Sequence, residues 1–277
     1  MDTPVLHRLY RRIAPHWVRN GLERSLLEIE RFSAPRSVTK PPGTRVLLLA
    51  PHPDDESIAC GGTLHAYAEA GVPVRVSVLT DGCLGDPQLR ALPEGDPERT
   101  RRERALAARR REEAIAAMRA LGVAAHDFLD ARDGSLAAAV GSVGERLARI
   151  LREWRPDVVL VPFLSDRHPD HFAANRCLMD AAERLGAGEC ERLLCLGYES
   201  WSPLHANLYV DITPSLEAKR RAIRCHESQL AFNDYLQGVE GLNRYRAVSG
   251  LVKGTHAEAF FMASFPDYRR LFARMLL

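Results

Sequence analysis

The chain has 277 residues, of which 46% are hydrophobic and 27% charged, and its 38 Lys and Arg residues nearly balance 36 Asp and Glu residues. That length supports a full core, and a net charge of +2 gives no general attraction for nucleic acid or for an anionic membrane. The apolar runs fall far short of the roughly 20 residues of a membrane span, and the N-terminus lacks the apolar core of a secretory signal, so a cytoplasmic protein is predicted.

Residues 1–44 differ in pattern from the rest of the chain. Residues 1–32 contain two amphipathic stretches, "LHRLYRRI" and "VRNGLERSLLEIERF", and the helix-breaking segment "SAPRSVTKPPGT" follows them. We therefore predict an N-terminal helical extension and linker over 1–44 and a single domain over 45–277. Because the extension carries charges of both signs, packing on the domain or on a second subunit of a homo-oligomer is favoured over a membrane surface.

Short apolar runs alternate with helical stretches over residues 45–277, and this alternation predicts an α/β fold. Strands are predicted at 45–50, 73–80, 124–130, 157–163 and 192–198, with a weaker one at 207–212. Helices are predicted at about 61–71, 98–121, 137–153, 171–185 and 215–232. Several strands are apolar throughout, as in a parallel sheet covered by helices on both faces. The expected architecture is a Rossmann-like, mostly parallel sheet of five to seven strands.

The six cysteines show no CxxC spacing and predict no disulfide framework or metal-binding thiol cluster. A chain of this length does not depend on disulfide bonds for stability. We expect reduced and mostly buried thiols, because free cysteine packs as a small apolar side chain.

The first predicted strand runs directly into "HPDDE", residues 52–56. Ligand sites of open α/β sheets form where the carboxyl ends of strands meet the following loops. His52 and Asp55 lie three residues apart on a turn stiffened by Pro53, so both side chains can converge on one zinc ion, and Asp54 between them can face a water molecule. Glu56 is expected to support or cap this segment and not to bind the ion.

A second cluster, "HPDH" at residues 168–171, follows the strand at 157–163 and offers the third ligand. Each cluster alone also fits an ordinary helix start, with a capping side chain and Pro in the first turn. A specified string such as "HPDDE" arises by chance in a chain this long on the order of once in ten thousand, so the two clusters together favour a metal site.

These segments resemble the zinc-dependent N-acetylglucosaminyl deacetylases of the PIG-L/LmbE family. The family signature is a strand followed by "HPDDE" and glycines, and the likeness continues through "RRREEAIAAMRALGV", "DARDGSL", "HPDH", "KRRAIRCHESQ" and "AEAFF". It covers residues 45 to about 262 in family order. Pro51 stands where the family usually has Ala, and Asp166 and Arg167 replace the side chains that are common before "HPDH", which affects the donors around the substrate carbonyl.

The resemblance implies a role for each matching residue. His52, Asp55 and His171 would bind zinc, although two His and one Asp also accept other divalent ions such as Fe²⁺. Asp54 would be the general base that activates a metal-bound water, and His168 would stabilise the oxyanion or protonate the departing amine. The substrate-binding candidates are Arg110, whose alternative is a solvated helix face, and Asp133, whose alternative is a turn. Asp81 follows the second strand and is a further candidate, expected to line the crevice.

The predicted function is metal-dependent removal of the N-acetyl group from an N-acetylglucosamine-type sugar or conjugate. An alternative is hydrolysis of another linear amide, such as a thiol conjugate or a lipid- or antibiotic-linked sugar. A nucleotide-binding module on the same fold would require G-x-G-x-x-G after the first strand, where this chain has "HPDDESIACGG". No nucleic-acid partner is expected, because glutamates interleave the arginine-rich helix.

Overall fold

The computed structural model describes residues 36–186 and 188–276. The strands are β1 (Arg36–Val38), β2 (Val46–Ala50), β3 (Val74–Thr80), β4 (Ala125–Ala131), β5 (Val158–Pro162), β6 (Leu194–Tyr198), β7 (Leu208–Asp211) and β8 (Ala257–Ser264). They form one sheet in the order β1-β7-β8-β6-β5-β2-β3-β4. Every pairing is parallel except those of β8, which runs antiparallel to β6 and β7.

Helices cover both faces of this sheet. They are α1 (Asp55–Glu69), α2 (Pro97–Ala120), α3 (Val140–Trp154), α4 (Pro169–Leu185), α5 (Leu216–Cys225), α6 (Glu227–Leu230), α7 (Tyr235–Ser249) and α8 (Phe265–Leu276). Successive residues of β2 enter opposite cores, since Leu47 and Leu49 pack with α3, α4 and α8, while Leu48 packs with α1 and α2. The predicted fold class, a mostly parallel sheet with helices on both faces, is confirmed.

The strand order places the two histidine clusters at one crevice. From β2 the chain adds β3 and then β4 on one side, and it then returns to place β5 on the other side of β2. Loops after β2 and β5 therefore diverge at a topological switch point, which is where ligand sites form in open α/β sheets. "HPDDE" follows β2 and "HPDH" follows β5.

The first long helix begins earlier than predicted, at Asp55 and not near residue 61. The negative charges of Asp55 and Glu56 in its first turn interact favourably with the positive end of the helix dipole. The motif itself therefore forms the start of the helix. The glycines that suggested a break serve close packing instead, because a Cβ on Gly62 would lie 2.6 Å from the Ile212 side chain.

Other elements also differ from the sequence prediction. The helix expected over 215–232 divides at His226 into α5 and α6, and the structure adds α7, α8, β1 and β8, which gives eight strands where five to seven were expected. Part of the predicted linker is ordered, because β1 pairs with β7. The helices predicted within 1–32 lie outside the described residues.

The structure contains neither a membrane-spanning helix nor a disulfide bond in the residues it describes. Within 36–186 and 188–276 no helix has the length and apolar character needed to cross a membrane. All six cysteines fall in these ranges and are free thiols, five of them buried and Cys225 half-buried, as the sequence predicts.

Candidate active site

Three side-chain atoms meet at the switch point. The distances are 3.2 Å between His52 Nδ1 and Asp55 Oδ2, 3.2 Å between His171 Nε2 and Asp55 Oδ2, and 3.4 Å between His52 Nδ1 and His171 Nε2. A tetrahedral zinc ion with ligands at 2.0–2.1 Å would hold those ligands roughly 3.3 Å apart. This near-equilateral triangle therefore has the size of three metal ligands, and the residues present fit a divalent ion.

Neighbouring groups fix the orientation of each member of this trio. Asp55 Oδ1 accepts a hydrogen bond of 2.9 Å from Ser200 Oγ, which turns Oδ2 towards the histidines. Asp166 Oδ2 lies 3.3 Å from His171 Nδ1, which turns Nε2 of that ring into the site. A carboxylate behind a histidine in this way orients the ring and raises its basicity as a ligand. Neither Ser200 nor Asp166 was predicted to have this role.

Two overlapping triples of side chains also bring ligand atoms within 4.8 Å of one another, namely His52 with His168 and His171, and His52 with Asp133 and Asp170. The carboxylate of Asp170 already accepts hydrogen bonds from the backbone N–H of Gly134 and Leu136. All three edges of the trio of His52, Asp55 and His171 are 3.4 Å or shorter, so we take it as the candidate metal centre.

The electrostatics of the site favour positive charge. Burial lowers the pKa of His171, but Asp55 and Asp166 outweigh burial and raise that pKa to about 9. Burial likewise lowers the pKa of His52, and contacts with Asp133, Asp170 and Asp55 raise it well above its ordinary value. The carboxylates thus stabilise a cation at this point, whether a proton or a metal ion carries the charge.

Asp54 lies beside the trio without belonging to it. It precedes α1 but its side chain makes no capping hydrogen bond. Its Oδ2 instead accepts a 3.0 Å hydrogen bond from Arg110 Nη2. Burial raises the pKa of Asp54, while the Arg110 cation lowers it. The result is a carboxylate held ready to accept a proton at the edge of the candidate metal centre.

His168 combines the two interpretations that the sequence left open for its motif, a helix start and a position beside the candidate metal centre. It caps α4, because its Nδ1 accepts the backbone N–H of Asp170 at 3.2 Å. Its ring also lies edge-on to the ring of His52, with centroids 4.6 Å apart. Burial and repulsion from His52 and His171 lower the pKa of His168. A neutral ring whose Nδ1 accepts must carry its proton on Nε2, which leaves Nε2–H as a donor.

The three predicted substrate-binding residues hold the loops of the crevice together. Arg110 is buried and also donates from Nη1 to the carbonyl of Gly82 at 2.8 Å. Asp133 Oδ1 lies 3.3 Å from His52 Nε2, and Asp81 Oδ1 accepts the backbone N–H of Asp133 at 3.0 Å. Contact of these residues with substrate stays a prediction.

Glu56 does not contact the trio. Its Oε1 accepts the Ser57 hydroxyl at 2.8 Å and lies 3.2 Å from His226 Nε2. All three residues are buried, so this cluster ties the break between α5 and α6 to the start of α1. The arrangement agrees with the expectation that Glu56 supports the motif.

A cavity of about 380 Å³ opens beside Asp54 and Asp55. This volume falls in the range of small-molecule sites, about 300–1,000 Å³. Its opposite wall comes from the loop after β6 and from α7, an element that the sequence analysis did not predict. Asp54 therefore faces a space in which a substrate can lie.

Comparison with known proteins agrees with this geometry. The PIG-L profile, described as GlcNAc-PI de-N-acetylase, matches residues 47–182. The chain is 33% identical to a diacetylchitobiose deacetylase of Thermococcus kodakarensis over 67% of this chain and 70% of that protein. It is 36% identical to a 1D-myo-inositol 2-acetamido-2-deoxy-alpha-D-glucopyranoside deacetylase of Kineococcus radiotolerans, but the match covers 60% of this chain and only 50% of that protein.

A solved structure shows the same relationship over nearly the whole chain. The N,N'-diacetylchitobiose deacetylase of Pyrococcus horikoshii superposes with a TM-score of 0.67 at 26% identity, over 92% of this chain and 96% of that one. The predicted family and the predicted class of enzyme are confirmed. The chain belongs to the PIG-L family of LmbE-type N-deacetylases.

Proposed function

We propose that this protein is a zinc-dependent hydrolase that removes the N-acetyl group from an N-acetylglucosamine conjugate, with His52, Asp55 and His171 as the metal ligands. The observation that carries the proposal is the triangle of ligand atoms, with edges of 3.2–3.4 Å, beside a buried carboxylate and a cavity. The named activities of the relatives support the substrate class, since their substrates are N-acetylated sugars or sugar conjugates.

When bound, a zinc ion supplies a Lewis acid that polarises the amide carbonyl and increases the acidity of water. Asp54 accepts the proton of the attacking water, because its carboxylate lies beside the ligands and its pKa is raised by burial. Arg110 fixes the position of that carboxylate, and its positive charge partly offsets the rise in the Asp54 pKa that burial causes.

His168 acts on the amide carbonyl of the substrate, whereas Asp54 acts on the attacking water. Its Nε2–H donates to the amide oxygen as negative charge develops there, since Nδ1 is occupied by the N–H of Asp170. The proton that Asp54 accepts then passes to the departing amine, so the products are acetate and the same conjugate with a free amino group on its glucosamine unit. Placement in the cytoplasm and assembly through the N-terminal helices stay predictions.

The proposal is tested by purifying the protein without chelator and measuring metal content together with acetate release from N-acetylglucosaminides. We expect about one zinc per chain, acetate release, and loss of both on dialysis against chelator, with recovery when zinc is restored. One iron per chain with the same activity would show that the bound metal is iron and not zinc. A folded protein that binds no divalent metal and releases no acetate would overturn the proposal.

Arg110→Met is expected to shift the acidic limb of the kcat/KM profile to higher pH by about one unit or more. Burial already raises the pKa of Asp54 and Arg110 lowers it, so removing the cation raises that pKa further and protonates the base at a pH where the parent is active. Arg110→Lys, which keeps the charge, should shift the limb less. If the acidic limb of the kcat/KM profile stayed at the same pH while the maximal kcat/KM fell, a group other than Asp54 would determine that limb.

A further inference from the structure

The cavity wall that faces the candidate metal centre is apolar. Ile58 of α1, Trp201 after β6, and Tyr235, Val239 and Leu242 of α7 line it. The last three recur at helical spacing, so α7 presents one side to the cavity. This wall lies beyond the reacting groups, where the part of a substrate that is not hydrolysed would extend.

The charged side chains of the cavity are all acidic. Asp54, Asp55 and Asp234 line it, and no Lys or Arg is among the described residues that do so. The guanidinium of Arg110 is directed instead at Asp54 and at the carbonyls of Gly82 and Pro53. A phosphate placed against the apolar wall would find no Lys or Arg side chain there and would be repelled by Asp234, which disfavours an anionic aglycone.

Trp201 is exposed but its backbone is anchored to the metal site. Its side chain is 56% exposed, while its backbone N–H donates to Asp166 Oδ2 at 2.9 Å, the same oxygen that lies against His171. The preceding Ser200 donates to Asp55. The indole also makes an edge contact with Tyr235, with ring centroids 6.3 Å apart. An aromatic surface anchored in this way gains contact area on binding a flat apolar group at little entropic cost.

We propose that this cavity is an aglycone subsite that selects N-acetylglucosaminides whose aglycone is uncharged and carries a flat apolar group stacked on Trp201. Conjugates with a phosphate directly on the sugar are poor substrates. The inference rests on the proposed deacetylase function and adds to it the chemical class of the substituent. It concerns the choice of substrate and not the reaction itself, because none of the wall residues is a candidate metal ligand or proton acceptor.

The test compares kcat/KM for acetate release from methyl N-acetylglucosaminide, phenyl N-acetylglucosaminide of both anomers, and N-acetylglucosamine 1-phosphate. We expect one phenyl anomer to exceed its methyl counterpart about tenfold, mainly through KM, with the phosphate below the methyl glycoside. Trp201→Ala should bring the phenyl-to-methyl ratio close to one. Tyr245→Ala is the matched control, because Tyr245 is an exposed aromatic residue of α7 outside the cavity, and it should keep the parent ratio.

Calorimetry on the zinc-loaded Asp54→Asn variant measures the binding of the same glycosides without turnover. These affinities test whether the subsite exists. Tighter binding of phenyl than of methyl glycoside, lost in Trp201→Ala on this background, supports it. Equal binding, or preferred binding of the 1-phosphate, overturns it. If the phenyl preference in binding is found but the parent releases no acetate from any compound, the subsite stands and the proposed reaction fails.

Discussion

Replacing Asp54 by Asn is expected to lower kcat for acetate release by about 10²–10⁴-fold, the usual contribution of general acid–base catalysis. Asn has nearly the same shape but cannot accept a proton from water. Because the Asp54 side chain bonds to Arg110 and forms no corner of the ligand triangle, we expect the metal content of the variant to equal that of the parent. Acetate release and elemental analysis on the same preparation measure both quantities.

His171→Ala is the contrasting variant. It removes one corner of the triangle and leaves Asp166 without its imidazole partner, so metal content should fall together with activity. If Asp54→Asn loses metal instead, Asp54 is a ligand and the assigned roles of Asp54 and Asp55 are wrong. If Asp54→Asn keeps more than about a tenth of the parental kcat, another group accepts the proton.

The parts of the site that the sequence predicted are those set by local spacing. His52 and Asp55 lie three residues apart on one turn, and so do His168 and His171. Each pair follows a buried parallel strand, β2 for the first pair and β5 for the second. Parallel strands bring their carboxyl ends to one edge of a sheet, so the approach of the two pairs follows once the strands are recognised.

The supporting residues could not be predicted in the same way. Ser200 meets Asp55 from 145 positions along the chain, and a lone serine after a strand carries no spacing signal. Asp166 was noticed only as a departure from the family pattern, yet it contacts His171 and the backbone of Trp201. Helix α7 was missed because Gly238 and Gly241 interrupt its segment, and glycine has a low helix propensity.

Two family segments noted only as patterns have a physical explanation in the fold. Lys219 of "KRRAIRCHESQ" and Glu258 of "AEAFF" form a buried ion pair with Nζ and Oε1 2.6 Å apart, each residue 1% exposed. The carboxylate also accepts the backbone N–H groups of Gly62 at 2.9 Å and Thr63 at 2.8 Å. The pair therefore joins α5 and β8 to α1, the helix whose first turn holds Asp55.

Glu258→Gln is expected to lower the free energy of unfolding by about 3–5 kcal/mol, because it leaves the buried Lys219 ammonium without its counter-charge. Urea denaturation at neutral pH measures this loss. Lys219→Met should cost less, since the Glu258 carboxylate keeps two backbone N–H donors. The double variant should lose less stability than the sum of the two single variants, because the partners are coupled.

The exposed pair of Glu98 and Arg101 supplies the matched control. It has the same charges, with Oε1 and Nη2 2.7 Å apart, but both side chains are at least half exposed. Water and salt screen such a pair, so Glu98→Gln should lower the unfolding free energy far less than Glu258→Gln does, and mostly through the loss of a negative charge in the first turn of α2. If Glu258→Gln behaved like this control, the buried charge would be solvated or neutral in the folded protein. The positioning of α1 would then rest on its apolar contacts, such as those of Leu64 and Tyr67, and on the cluster of Glu56, Ser57 and His226.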